Sequence, residues 1–278
     1  MSEDKLKTRH SSKVIPSIIK WSGSKRKQAQ TIIQHIPKHT RYVEPFLGGG
    51  AVLFHNASNA IASDIYQPLI DFWSLVQKDP QDLIANYHKQ WTKLQSDLPA
   101  YYYVVRERFN EKQDARDLNF LLRTCVNGIV RFNDKGDFNN SFHLSRKGMN
   151  PQLFAKNVLE WSDQIKGVEF LCCDYEETLN RCKKGDFVYF DPPYLGSKNR
   201  YINDLDFDRL LKNLDNLNKR SIKWALSFDG TRGDQDLSAD INPLLFKRKV
   251  MISNGHSAVN RVLNGPLEEV QESLYLNY

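Results

Sequence analysis

Between Gly185 and Tyr194 the chain reads GDFVYFDPPY, and the run from Phe187 to Phe190 is apolar or aromatic on both parities. A strand with one face in water alternates apolar with polar residues. A run without that alternation needs cover on both faces, which is the condition of a parallel sheet flanked by helices. The run is too short and too rich in valine and aromatics for a helix, and Gly185-Asp186 punctuates its start. Asp191 then falls at the strand's carboxyl end, where open α/β sheets bind ligands, so the chemistry is sought in Asp191, Pro192, Pro193 and Tyr194.

A second unit of the same kind opens near Arg41. The stretch RYVEPFLGGGAVLFHNASNAIASDIYQPLI parses as strand, glycine turn, short helix, strand and acid, the opening of a nucleotide-binding α/β unit. Gly48, Gly49 and Gly50 leave the turn without side chains, so backbone N–H groups can approach a ligand closely. Asp64 follows Gly48 by sixteen residues. An acid roughly 20 residues on holds ribose hydroxyls in dinucleotide folds, although this turn lacks the GxGxxG pattern itself. Two strand ends carrying ligand-type residues point to one shared crevice.

From Gln67 to about Asp117 no strand signal appears. QPLIDFWSLVQKD, PQDLIANYHKQWTKLQ, AYYYVVRERFNEK and ARDLNFLLRTCV all space their apolar residues as helices do. The expected organisation is a catalytic α/β domain of residues 1–70 and 155–278, with helices on both faces of its sheet, and an inserted, mainly helical domain of residues 71–154. The insertion ends in a polar loop where Arg123, Arg131, Lys135, Arg146 and Lys147 interleave with Asn127, Asn133, Asn139 and Asn140. Arginine and asparagine suit bidentate readout of guanine and adenine edges and also grip phosphates. The carboxyl-terminal stretch predicts two strands forming an antiparallel edge on an otherwise parallel sheet.

The excess of 39 Lys and Arg over 33 Asp and Glu gives a net charge of +6, a modest bias toward polyanions. The four cysteines form no CxxC pair or zinc-type pattern with histidine, so reduced structural thiols are expected and no metal. No stretch approaches the ~20 apolar residues of a membrane span, and a cytoplasmic protein is expected, nucleoid-associated or phage-encoded in a bacterial host.

Aspartate followed by Pro-Pro-Tyr suits methyl transfer to an exocyclic amine of adenine or cytosine. Such a nitrogen is a poor nucleophile because its lone pair is delocalised into the ring. A carboxylate accepting one N–H and the Pro192 carbonyl accepting the other draw it toward tetrahedral geometry and aim the lone pair at an electrophile. Pro192 and Pro193 stiffen the turn, and Tyr194 offers a flat face for an extruded base. The methyl group of S-adenosyl-L-methionine is the matching electrophile, and its adenosine suits the glycine turn and Asp64.

In order, IIKWSGSKRK, YVEPFLGGGAV, NAIASDI and VYFDPPY resemble the motifs of the Dam-type, alpha-order DNA adenine-N6 methyltransferases, over nearly the whole chain. The resemblance implies a Rossmann-like methyltransferase sheet, S-adenosyl-L-methionine as cofactor, and base flipping from double-stranded DNA. It favours adenine over cytosine-N4 as the target. It implies that Trp21 and Lys25 belong to the cofactor site, Lys25 near the methionine carboxylate. By the same resemblance Glu44, Pro45 and Phe46 shape the pocket, Asp64 holds the ribose and Asp174 lies near the cofactor's adenine. VNGIVRFN is similar to the segment that enters DNA beside the target base, with Asn127 and Arg131 on contacting positions, and Lys20 is expected among the DNA contacts. Val126 and FHLSRKGMNP depart from the family pattern, so the chemistry carries over without a recognition sequence. A cognate restriction endonuclease acting separately is the further partner of such an enzyme.

Overall fold

The computed structural model describes residues 15–193, 205–232, 235–238, 240–256 and 269–278. In chain order these form α1 (Ala29–Ile33), β1 (Tyr42–Glu44), β2 (Ala60–Asp64), α2 (Gln67–Lys78), α3 (Pro80–Ser96), α4 (Ala100–Lys112), α5 (Ala115–Thr124), α6 (Pro151–Gln164), β3 (Val168–Cys172), α7 (Tyr175–Asn180), β4 (Phe187–Phe190), α8 (Phe207–Lys219), β5 (Lys223–Arg232), β6 (Gln235–Asp236), β7 (Arg248–His256) and β8 (Glu269–Leu276).

One sheet joins the strands in the order β3-β2-β1-β4-β5-β8-β7, with β6 paired to β5. The pairs from β3 through β5 are parallel, and β8 runs antiparallel to both β5 and β7. The chain works outward from β1 to β3 on one side and from β4 on the other. Neighbours β1 and β4 therefore flank the switch point, where a crevice opens at the strands' carboxyl ends.

The apolar run of β4 is explained by where its side chains go. Phe187 and Tyr189 enter one buried cluster, with residues of α2 to α6, while Val188 and Phe190 enter the other, with Leu179 of α7 and Leu210, Leu214 and Leu217 of α8. All four are fully buried, and each such side chain contributes about 1.5–3 kcal/mol. The helices between β2 and β3 thus share one core with a face of the sheet.

The four expected helices before Cys125 are present as α2 to α5. Helix α6 was not expected. Its signal was Asn150-Pro151: the Asn150 side chain accepts hydrogen bonds from the N–H of Gln152 and Leu153, and proline occupies the first turn, where no donor is needed.

Candidate active site

At the end of β1 the chain passes through Glu44, Pro45 and Phe46 into the glycine turn. Gly48 and Gly50 have φ of 47° and 63°, the left-handed region that glycine enters without strain. A Cβ on Gly48 would lie 2.9 Å from the Trp21 ring, and one on Gly50 3.0 Å from the Trp73 ring, so two indoles leave room only for bare backbone. Trp73 Nε1 donates to the Gly48 carbonyl at 3.1 Å. Asp64, at the end of β2, accepts from the N–H of Gly48 and of Tyr66, each at 3.1 Å. Burial pushes its carboxyl up and those N–H groups pull it back, so Asp64 pins the turn to the neighbouring strand.

This turn and the end of β4 open onto one cavity of about 690 Å³. Trp21, Lys25, Glu44, Pro45, Phe46, Gly48, Gly49, Gly50, Asp64, Asp174, Asp191, Pro192 and Pro193 all line it. Tyr194 lies outside the described residues. Asp191 Oδ1 meets Lys25 Nζ at 2.8 Å, and the same ammonium stands 3.4 Å from Glu272 Oε2 of β8. Burial raises the Asp191 carboxyl to about 6, against the opposing charge and hydrogen bond of Lys25, and Glu272 raises it further. Glu44 is buried beside it, pushed up by burial and accepting the Tyr42 hydroxyl at 2.7 Å. The arrangement offers a wide, partly apolar cleft, a backbone cradle, and a carboxylate at the mouth of the adjacent strand.

Residues 21–254 match the D12 class N6 adenine-specific DNA methyltransferases. The chain belongs to this family. It is 33% identical over 245 residues to the type II methyltransferase M.MjaIII of Methanocaldococcus jannaschii, covering 77% of this chain and 84% of that one. It is 33% identical over 184 residues to a DNA adenine methylase of Vibrio cholerae, covering 64% of this chain and 65% of the relative. Identity to the DNA N-6-adenine-methyltransferase of Escherichia phage P1 is 30% over 255 residues, 84% of this chain and 33% of that protein. Adenine, left open against cytosine by the amine chemistry alone, is the base the family methylates.

In this methyltransferase two expected DNA contacts have other work. Arg123 is 3% exposed, and its guanidinium donates to the carbonyls of Ser17 and Ile18, so it ties that segment to α5. Asn133 spends its side chain on a turn, accepting from the N–H of Lys135 and Asp137 and donating to the Asp137 carboxylate. Asn140, also in the basic loop, is buried, donating to the carbonyls of Val126 and Ile129. Asn127, Arg131, Arg146 and Lys147 are exposed. Asn139 donates its N–H to the Arg131 carbonyl, and its buried Oδ1 has no hydrogen-bond partner among the described residues. Lys20 is partly buried, and burial, then the charges of Arg146 and Arg123, depress its pKa.

Asp174 caps α7 through the Glu176 N–H and receives Arg209 on both oxygens, at 2.8 and 3.2 Å. Arg209 was not anticipated, nor were Tyr66, Phe132 and Tyr175, which also line the cavity. Tyr66 packs edge-on against Phe132 at 5.7 Å between ring centroids, and Phe46 lies 5.1 Å from Tyr175. Aromatic residues in a chain that is 12% aromatic carry no positional signal until the fold gathers them.

Proposed function

We propose that this DNA adenine-N6 methyltransferase uses S-adenosyl-L-methionine, and that Asp191, Pro192 and Tyr194 hold an adenine flipped out of double-stranded DNA. The observation that carries the reading is the adjacency of β1 and β4, which opens the glycine cradle and Asp191 onto the same cavity. The cradle fits the cofactor because Gly48, Gly49 and Gly50 line the cavity with backbone alone, their Cβ positions being closed off by Trp21, Ser24 and Trp73. Bound there, the cofactor supplies an electrophilic methyl group on a sulfonium.

Trp21, Phe46 and the glycines form the walls for it, Asp64 receives ribose hydroxyls, and Asp174, steadied by Arg209, faces its adenine ring. The Asp191 carboxylate accepts one N6–H of the target and the Pro192 carbonyl the other, so the nitrogen's lone pair faces the methyl group. As the new N–C bond forms, the amine becomes more acidic and its hydrogen bond to Asp191 strengthens, which lowers the barrier. The Asp191 carboxylate would take up the surplus proton that the nitrogen sheds along their hydrogen bond.

The helices and basic loop of residues 71–154 serve as the target-recognition domain, with Asn127 and Arg131 toward the bases and Lys20, Arg146 and Lys147 toward phosphates. The like charges that depress Lys20 would be relieved by a phosphate.

Incubation with unmethylated genomic DNA and methyl-labelled S-adenosyl-L-methionine, followed by digestion to nucleosides and mass spectrometry, tests this directly. Labelled N6-methyladenine is expected from the wild type. Asp191→Ala should lose at least a thousandfold in rate with cofactor binding retained, and activity within tenfold of wild type would remove Asp191 from the chemistry.

A further inference from the structure

Lys25 lies at the wall of the cavity with 3% of its side chain exposed. An ammonium has three N–H donors, and this one faces three protein oxygens: the Gly23 carbonyl at 3.3 Å, Asp191 Oδ1 at 2.8 Å and Glu272 Oε2 at 3.4 Å. Two of these oxygens are carboxylates, so Lys25 ties two acids together at the cavity wall. The two acids come from distant parts of the chain, Asp191 from the end of β4 and Glu272 from β8 on the far side of β5. Glu272 also lies beyond residues 21–254, over which the family match runs.

Burial alone pulls the Lys25 ammonium down, and Asp191 and Glu272 more than offset it, so the lysine stays charged. A buried ammonium with a single carboxylate has only that charge to offset its desolvation, so its whole attraction falls on that carboxylate. Here the second acid shares it. Lys25 engages Oδ1 of Asp191, and Oδ2 has no hydrogen bond among the described residues.

We propose that Glu272 is a positioning residue for methyl transfer: by sharing the Lys25 ammonium it holds the Lys25–Asp191 pair in the one-oxygen geometry that leaves Asp191 Oδ2 for the adenine amine. Without Glu272 the ammonium is free to swing across both oxygens of Asp191 and compete with the substrate. The proposal rests on the reading of Asp191 as acceptor of the amine.

Single-turnover methyl transfer at saturating DNA and S-adenosyl-L-methionine tests it, with a double-mutant cycle over Glu272→Gln and Lys25→Gln. Glu272→Gln should slow the step at least tenfold, with cofactor and DNA Kd within twofold of wild type. In the Lys25→Gln background the same change should alter the rate less than twofold, because Glu272 acts through the lysine. An equal loss in both backgrounds, a weakened cofactor Kd with an unchanged rate, or no loss at all would each overturn the proposal. Glu272→Asp keeps the charge and shortens the reach, and its rate should fall between wild type and Glu272→Gln, including where the glutamine variant folds poorly. Asp191→Ala, run beside these, separates the two readings: its retained activity would defeat the role of Asp191, whereas additivity in the cycle defeats only that of Glu272.

Discussion

An ionised carboxylate accepts an amine hydrogen bond far more strongly than a protonated one and can take the proton the amine sheds, so the protonation of Asp191 sets a limit on turnover. Burial is the main reason its pKa stands near 6 rather than 3.8, with Lys25 opposing and Glu272 assisting. Activity should therefore fall about tenfold per pH unit below about 6, and Asp229, also raised to about 6 by burial and Glu272, titrates in the same range. Stability moves the other way for this group. A folded pKa above the unfolded one means that the native state binds the proton more tightly, so Asp191's own contribution to stability grows as pH falls from 6 toward 3.8. A pH–rate profile that stays flat to pH 5 would contradict this placement of Asp191. The arginines divide by the same kind of argument. Arg123→Ala removes two hydrogen bonds from the carbonyls of Ser17 and Ile18, which keep those from Asn157 and Asn119, and empties the buried space of the guanidinium, so it should cost about 2 kcal/mol of stability in denaturant titration. Arg131→Ala, at an exposed position, should leave stability unchanged and weaken specific DNA binding by about 1–3 kcal/mol. Equal discrimination between cognate and mutated sites would show that Arg131 reads no base.

At the scale of elements, β4 and α6 show how much a local pattern conveys. The strand was legible because two-sided burial removes alternation, and each parity of Phe187–Phe190 meets its own cluster. Helix α6 was passed over because its stretch follows a polar loop, yet Asn150-Pro151 marked its start. Asn150→Ala should cost about 1 kcal/mol, read as a lower denaturant midpoint with an unchanged slope, since it frees two N–H groups at the helix start. The basic loop was harder to read. Asn133 and Asn140 look like Asn127 in sequence, and only the structure shows that Asn133 is spent on a turn and Asn140 is buried.

For the whole molecule, the order β3-β2-β1-β4-β5-β8-β7 brings the ends of β1 and β4 side by side at one cavity. The cofactor should therefore bind the folded state alone and raise its stability by mass action, about 2.7 kcal/mol at a hundredfold excess over Kd. A thermal midpoint unmoved by saturating S-adenosyl-L-methionine would count against the cavity as its site. No helix among the described residues is long and apolar enough to cross a membrane.

The sequence by itself determined the strands, the glycine turn and the acid that ends β4, because burial on both faces, backbone close approach and strand-end chemistry act over a few neighbouring residues. The family resemblance led from those motifs to the adenine-N6 chemistry. Only the tertiary structure decided which polar residues serve the fold and which face the cavity. Arg123 turns inward to two carbonyls, Arg209 reaches Asp174 from α8, and Glu272 meets Lys25 across the sheet. A partner tens to hundreds of positions away leaves no local period or spacing for a reader to find, since burial and pairing are properties of where the chain returns.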